Sequence, residues 1–595
     1  VPCSEQENQG DDDDDEDTAV LADEQLAVKT KSFSRSTMLG RNEQWCYSDY
    51  FQRDEERGGF TISKRALPPF ESTPGRIVEE NARVDQLHGL SASYLVSNIP
   101  NQKGLRVVFH AWFDLPEESE DQGRLGRYKG SRRRSNGSTS SRGHADTSKH
   151  KAQLRRLVAM AHGVTKLPEV VQRRRFGVQV PADLGAVQAS NSRCPCCTHK
   201  LAPAKLFLKS NSRRCYLCGY LVCTDCWRPE HMECAAGRVA AIVVCTRCHA
   251  NVQACEYAEV FAGTAAGREK HRGPPRVVED RADTPTVSLL VDFLSASLSS
   301  ATSGSPEHAA VMAVVRTLLR QSGEDSEGEY DSDDDVGPRF KVLGETDAVG
   351  KVSELLNDPE RLPAVKACKL GNADQRNYPL DLPDDPIANV PRSPIPSNED
   401  DRIASAKATG LLHLASRLAP EIPSTDSESG KPDTYDLELL CRLAVKTLGC
   451  AYSFVTIMGS KHEHVLAGTH PGFAGAAVPR EQTTCQHALM SPYPFMVSHH
   501  EADVRFHKQG TTSQLPVRFY VGFPVKVPLV NGASGDPDMT VGMLCCVDSK
   551  PRAEITRTQY ATMQRLASTA KCFLLQKSQQ LQLQHTAASL PLTRA

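Results

Sequence analysis

The chain has 595 residues, with 70 Lys plus Arg against 73 Asp plus Glu, for a formal net charge of -3. That balance gives no reason to expect nucleic acid as a partner, and the length leaves room for several domains at roughly 150 residues each. No run of about 18 apolar residues occurs, which excludes a spanning helix; the longest apolar stretch, Val239 to Val244, is strand-length. The 37 Pro and 39 Gly predict long connectors between modest cores. The 20 cysteines come without a secretory signal, which points to reduced thiols in a cytoplasmic protein.

Residues 1–34 read as a disordered acidic arm, because Asp11 to Asp15 form an unbroken run of like charge. Trp45 to Phe51 and Phe60 to Arg65 predict one hairpin; Ser91 to Ser97 and Leu105 to Phe113 predict a second. A helix is predicted from Leu154 to Arg174, where Leu154, Leu157, Val158, Ala161 and Val164 follow helical spacing; Pro168 kinks it or starts a second helix. Antiparallel strands closed by a helix over residues 35–178 resemble the C-terminal half of a START-like lipid-transfer domain. The first half of that fold is expected to be absent or to lie upstream of Val1, and without it no closed ligand cavity and no lipid carriage are assigned to the chain. The polar insertion 117–149 contains Arg132, Arg133 and Arg134 and reads as a long basic loop.

Eight cysteines then form four Cys-x-x-Cys pairs: Cys194/Cys197, Cys215/Cys218, Cys223/Cys226 and Cys245/Cys248. A two-residue spacer lets a tight turn aim both thiolates at one metal, and two pairs complete a tetrahedral four-sulfur zinc site, so four pairs imply two Zn²⁺ ions. The pairs are 17, 4 and 18 residues apart. The short middle gap favours an interleaved, cross-brace arrangement, with the first and third pairs on one ion and the second and fourth on the other. Cys196, His199, His231, Cys234 and His249 are surplus and read as surface or packing residues. A closed four-sulfur site leaves no coordination position for catalysis.

With Arg213-Arg214-Cys215-Tyr216-Leu217-Cys218-Gly219 and Leu221-Val222-Cys223, residues 186–258 resemble a FYVE-type zinc finger. The resemblance implies binding of phosphatidylinositol 3-phosphate, with Arg213 and Arg214 as the lipid-contacting residues and an endosomal membrane as the location. The sequence departs from the pattern in that Asn211 and Ser212 precede the two arginines, Val243 stands at the family's second arginine position, and no Trp-x-x-Asp element precedes Cys194. The apolar triplet Leu206-Phe207-Leu208 reads equally as a membrane-dipping loop or a core strand.

Residues 259–392 read as a mostly disordered linker with one helix, Ala309 to Arg320, and an acidic segment, 323–335, whose serines suit an acid-directed kinase. Its length predicts no fixed coupling between the finger and the C-terminal module. From 394 to 580, helices near 398–412, 436–448 and 558–580 alternate with strands at 452–458, 464–467, 495–497, 521–527 and 540–548, predicting an antiparallel sheet with helices on one face. The order Thr484-Cys485-Gln486-His487-Ala488, Val497 to Asp503 with Arg505-Phe506, Val517 to Pro524 and Val541 to Asp548 resembles a GAF domain. The resemblance implies a sensory or dimerising module, so a second copy of the chain and protein partners are both expected, and no ligand-binding residue is assigned. Cys485 is read as buried packing rather than a thioether anchor, and Asp503, Arg505 and Arg518 as a structural ion pair. Residues 581–595 are a tail. The fold class is therefore α+β and multidomain: a two-zinc finger, a GAF-type sheet with helices, a partial START-like sheet plus helix, and long linkers. No Ser/His/Asp order or phosphate-cradling glycine loop occurs, and the expected function is a non-enzymatic zinc-binding adaptor. The alternative is a zinc-stabilised protein-interaction module with no lipid role.

Overall fold

The computed structural model describes residues 24–33, 42–54, 58–71, 73–77, 84–100, 104–114, 141–187, 190–201, 212–234, 237–261, 273–281, 285–321, 345–422, 432–509, 516–530 and 538–589. They fall into two compact units, Val1–Val170 and Val171–Ala595.

The first unit is an antiparallel sheet of β1 (Glu24–Phe33), β2 (Asn42–Asp54), β3 (Gly59–Ala66), β5 (Leu90–Asn98) and β6 (Leu105–Phe113) in the order β1-β2-β3-β5-β6, with the short β4 (Val84–Gln86) parallel to the start of β2. Both predicted hairpins are present as β2/β3 and β5/β6. Helix α1 (Ser141–Thr165) sends Leu157 and Met160 onto Trp45, Tyr47, Leu90 and Ala92. The expectation of an acidic arm through residue 34 is corrected at its end, since β1 pairs with β2 along its whole length. Its Lys, Glu and Gln side chains are largely exposed, so the strand carries no inward hydrophobic stripe to betray it. The acidic run 11–17 and the arginine triplet 132–134 lie outside the described residues, and α1 begins inside the predicted insertion.

Helix α2 (Leu167–Val178) starts after the predicted break at Pro168 and leads into the cysteine-rich segment. There β7 (Arg213–Arg214) pairs with β8 (Leu221–Val222), β9 (Trp227–Glu233) pairs with β10 (Val239–Cys245), and α3 (Thr246–Ala254) and α4 (Ala258–Phe261) come next. The stretch expected to be a mostly disordered linker is largely structured where it is described. After β11 (Arg276–Val278) come α5 (Thr286–Ser300), α6 (Pro306–Arg320) and α7 (Glu345–Asn357). Val287, Leu290 and Leu294 of α5, Val311, Val314 and Leu318 of α6, and Val349, Val352 and Leu356 of α7 join one hydrophobic core with the C-terminal module. Burying an apolar face of that size outweighs the Ser-rich, weakly helical composition of α5. The acidic segment 323–335 lies outside the described residues.

The C-terminal module opens with α8 (Glu399–Ala408), α9 (Leu411–Leu418) and α10 (Tyr435–Leu448). Its sheet has the order β14-β13-β12-β17-β16-β15, built from β12 (Tyr452–Met458), β13 (His462–Gly468), β14 (Ala477–Pro479), β15 (Phe495–Val497), β16 (Phe519–Pro528) and β17 (Asp538–Asp548). A helical turn, α11 (Cys485–Ala488), lies between β14 and β15; β18 (Glu554–Thr556) pairs in parallel with β11; α12 (Arg557–Ser589) closes the module. Alternation along the strands splits the sheet into two faces: Val455, Ile457, Leu466 and Leu544 meet the helices, while Phe454, Val465, Cys545 and Val547 face the opposite side. The helices α10 and α12 are in turn covered by α5, α6 and α7, which makes this half of the unit a layered α/α/β arrangement.

Glu399 anchors the helices to the sheet. Its carboxylate takes Arg402 at 2.7 Å and Arg480 at 2.6 Å, while Arg402 Nη1 also donates to the Met458 carbonyl at 2.6 Å. Burial pushes this carboxyl up, but the hydrogen bonds and charges of the two guanidiniums prevail and hold it below the ordinary range. A depressed folded-state value contributes stability that is present above the unfolded-state value near about 4.3 and is lost as the pH falls through the folded value. Glu399→Gln should therefore lower stability by about 1 kcal/mol at pH 7, allowing for solvent screening. In urea titrations the gap to the wild type should narrow as the pH falls below about 4.3 and close once the folded-state carboxyl is protonated; a gap that stays constant throughout would contradict the assignment.

Candidate metal centres and sheet cavity

The backbone builds two matching knuckles. In the first, Thr198 N donates to the Cys194 carbonyl at 2.9 Å; in the second, Gly219 N donates to the Cys215 carbonyl at 3.0 Å. Each places the residue after its Cys-x-x-Cys pair in the left-handed region, Thr198 at φ 60° and Gly219 at φ 83°. Glycine takes that conformation without strain, and a β-branched residue does not. The remaining two pairs come from the turn between β8 and β9 and from the junction of β10 with α3, where the Cys245 sulfur caps the helix by accepting from Cys248 N at 3.3 Å.

Folding brings the eight sulfurs into two groups, Cys194/Cys197/Cys223/Cys226 and Cys215/Cys218/Cys245/Cys248, and each group can hold a metal ion. The first pair thus meets the third and the second meets the fourth. Within the groups, Cys197 and Cys223 stand 3.6 Å apart and Cys215 and Cys248 3.7 Å apart, sulfur to sulfur, and all eight thiols are free of disulfides. A sulfur tetrahedron around a metal with bonds of about 2.3 Å has edges of about 3.8 Å. The donor set therefore fits a closed four-sulfur centre. The second group is fully buried, whereas Cys197 of the first is exposed. The surplus Cys196, His199, His231, Cys234 and His249 belong to neither group; His249 packs beside Phe176, and burial lowers its pKa to about 4.

The two arginines expected at a lipid contact differ in their surroundings. Arg214 Nη1 donates to the Gly219 carbonyl at 2.6 Å and is half-buried. Arg213 is exposed, with its guanidinium 5.3 Å from the centre of the Trp227 ring. The apolar triplet 206–208 lies outside the described residues.

The second knuckle is held from behind by a segment with no motif. Ala182 N donates to the Tyr216 carbonyl at 3.1 Å and Leu380 N to the Cys218 carbonyl at 3.0 Å. Between them the fully buried Arg376 donates to the carbonyls of Leu217, Val180 (3.1 Å) and Tyr378 (2.7 Å). Burial lowers its pKa to about 10, so it remains charged at neutral pH. The Tyr378 hydroxyl then lies 2.9 Å from His487 Nδ1 in α11. Gln179 adds a second tie, donating to the Ala502 carbonyl at 2.7 Å and accepting from Val504 N at 3.1 Å. The expectation of no fixed coupling between finger and C-terminal module is thereby corrected. A long connection does not loosen two parts when its two ends fold against both of them.

Asp503 and Arg505 form the predicted ion pair, buried, at 2.6 Å. Arg518 instead reaches Glu259 at 3.2 Å and Glu501 at 3.4 Å. His487 is held neutral, first by burial and then by the charge of Arg505.

On the sheet face opposite the helices lies a cavity of about 80 Å³, lined by Phe454, Thr456, Glu463, Val465, Phe473 and Tyr520 among others, with Cys485 and Cys545 in its wall. The Tyr520 hydroxyl donates to the Cys485 sulfur at 3.1 Å, and the two sulfurs are 3.8 Å apart. Burial, then Cys545 and the Glu463 carboxylate, push the Cys485 thiol well above its ordinary range. A thiol so held is a packing group rather than a nucleophile.

Residues 437–571 match the GAF domain family. The match covers the sheet, the cavity and helices α10 and α12. Among solved structures, similarity extends to the chromophore-binding domain of Stigmatella aurantiaca phytochrome P1, at 9% identity and a TM-score of 0.19, covering 31% of this chain and 63% of that one. It also extends to the chromophore-binding domain of the bacteriophytochrome RpBphP3 from R. palustris, at 10% identity and a TM-score of 0.19, covering 30% and 64%. The chain thus spans less than two thirds of either structure. No curated protein matches it.

Sequence reasoning named the sulfur ligands but not Arg376, Tyr378, Gln179 or Glu463. Only Glu463 carried a local signal, as a charge at an inward position of the strand His462–Gly468. The strained knuckle yields a test. Thr198→Gly should raise the urea midpoint of the metal-loaded chain, a gain of about 1 kcal/mol, with two metal ions still counted by native mass spectrometry. An unchanged or lowered midpoint would show that Thr198 is not strained.

Proposed function

We propose that this chain is a non-enzymatic adaptor in which a zinc-folded, FYVE-like finger braces a GAF domain that senses a small ligand. What supports the reading most is the line of contact from the Cys215–Cys218 knuckle through Arg376 and Tyr378 to His487, which neighbours the cavity residue Cys485. Zinc is the ion the donor chemistry favours, because four thiolates in a closed tetrahedron suit it and leave no open position for catalysis. Ligand sensing is favoured over dimerisation through the helical layer, since α5, α6 and α7 already cover α10 and α12. The N-terminal sheet and α1 enclose a cleft of about 490 Å³ bounded by Trp45, Tyr47, Tyr94 and Met160, in keeping with a partial START-like domain.

The brace is tested by removing the metal from the full-length protein. Structural zinc contributes to folding directly. Chelation should therefore lower the thermal midpoint of the GAF domain together with that of the finger, and should expose residues 365–392 to trypsin. A GAF transition that stays at its original temperature after both ions are gone would refute the brace.

The finger's surface bears on the lipid reading. Arg214 is engaged by a backbone carbonyl, and Arg213 alone of the pair is exposed. One guanidinium is a poor match for a phosphoinositide headgroup that needs several charge-assisted hydrogen bonds. In vesicle co-sedimentation, the zinc-loaded protein should show no preference for phosphatidylinositol 3-phosphate. Selective binding that Arg213→Ala abolishes would restore a membrane-recruiting role.

A further inference from the structure

We propose that the GAF cavity takes a small primary ammonium ion, with Glu463 as its counter-charge. The inference rests on the ligand-sensing reading above and names the chemistry of that site.

Glu463 lies on β13 opposite Met458 of β12 and Val478 of β14, on the same face as Val465. Its neighbours His464 and Leu466 point the other way, Leu466 into the helical core. The side chain is therefore committed to the cavity, and the residue is only 3% exposed. Its Oε1 has no hydrogen-bond partner among the described residues, and neither has Oγ1 of Thr456, which lines the same cavity; the Cys485 thiol, a weak donor, also faces the carboxyl. Buried carboxylate oxygens are expensive to leave unpaired, far more so in apolar surroundings. Among the described residues, no Lys, Arg or His lines the cavity. Residues 510–515, which precede the cavity segment in the chain and lie outside the described set, are Gly, Thr, Thr, Ser, Gln and Leu and carry no positive charge.

The remaining wall restricts what can answer that charge. Phe454, Val465, Phe473 and Val547 are apolar and suit a short alkyl chain, with the Phe454 and Phe473 rings edge to face at 6.1 Å. A volume of about 80 Å³ is comparable to a few heavy atoms and accommodates a short alkylammonium. An ammonium group has three donors and no acceptor. Glu463 Oε1 and Thr456 Oγ1 provide two acceptors. The Tyr520 oxygen, whose own proton goes to Cys485, provides a third. A neutral alcohol of the same size could donate one hydrogen bond to Glu463 but would leave its charge uncompensated.

The test uses the zinc-loaded full chain and three probes at equal concentration: propylammonium chloride, 1-propanol and potassium chloride. Thermal unfolding and calorimetric titration are followed for the wild type and for Glu463→Gln. Propylammonium should raise the wild-type midpoint and give saturable heat, while propanol and potassium chloride do neither; Glu463→Gln should lose at least tenfold in affinity. The comparison of probes on the wild type stands even if the variant folds poorly. If propanol binds as well as propylammonium, the ammonium proposal fails and the ligand-sensing reading survives. If nothing binds, the proposal is overturned and the cavity is not a ligand site for small molecules of this size.

Discussion

The second unit depends on one buried guanidinium. Arg376 is fully enclosed and spends its donors on carbonyls of three separate segments: residues 180, 217 and 378. Among the described residues, no carboxylate pairs with it directly. The cost of desolvating a charge is therefore offset by charge-assisted bonds to backbone groups that would otherwise be buried without partners. Because one of those carbonyls belongs to Leu217, inside the Cys215–Cys218 knuckle, the same group that stabilises the finger also fixes the segment carrying Tyr378. Replacing it with an apolar residue would orphan several carbonyls at once, which makes the arrangement cooperative rather than a sum of contacts.

That cooperativity explains how a small finger is maintained. The finger's buried cysteines pack with its own Leu217, Val222, Ile242, Val244 and Val252 in a small core. Tyr378, Leu380 and Leu382 from the chain that returns behind it and Ala502 and Val504 from the GAF domain extend that core. Metal held by the two sulfur groups would then stabilise the same state as the interdomain packing. The contacts through which loss of the finger's fold would reach the GAF domain are those of Tyr378 with His487 and of Gln179 with Ala502 and Val504.

Much of this is legible in the sequence wherever a feature is local. Cys-x-x-Cys spacing identifies the sulfur donors because each knuckle is closed by hydrogen bonds within a single tight turn. The strands Tyr452–Met458 and Asp538–Asp548 announce themselves by length and β-branched content. What cannot be read is what depends on distant partners. The segment Asn372 to Leu380 has no periodicity, and its structure exists only because Arg376 finds carbonyls up to 196 positions away. Helix α5 is similar: its Ser-rich sequence resembles a linker until Val287, Leu290 and Leu294 meet the core beneath α10. β1 is hidden for the opposite reason, since it is an edge strand whose only aliphatic pair on one face, Leu26 and Val28, stays exposed among charged and polar residues instead of marking a buried side.

Metal binding, finger and GAF domain should therefore open as one cooperative structure. Hydrogen exchange at two backbone amides tests it most directly: Leu380 N, which donates to the Cys218 carbonyl, and Val504 N, which donates to Gln179 in the GAF interface. On chelation, protection should fall at both sites together and by similar factors, because both report the same opening. Loss at Leu380 with full protection retained at Val504 would contradict it, and would leave the finger as a module merely leaning on its neighbour.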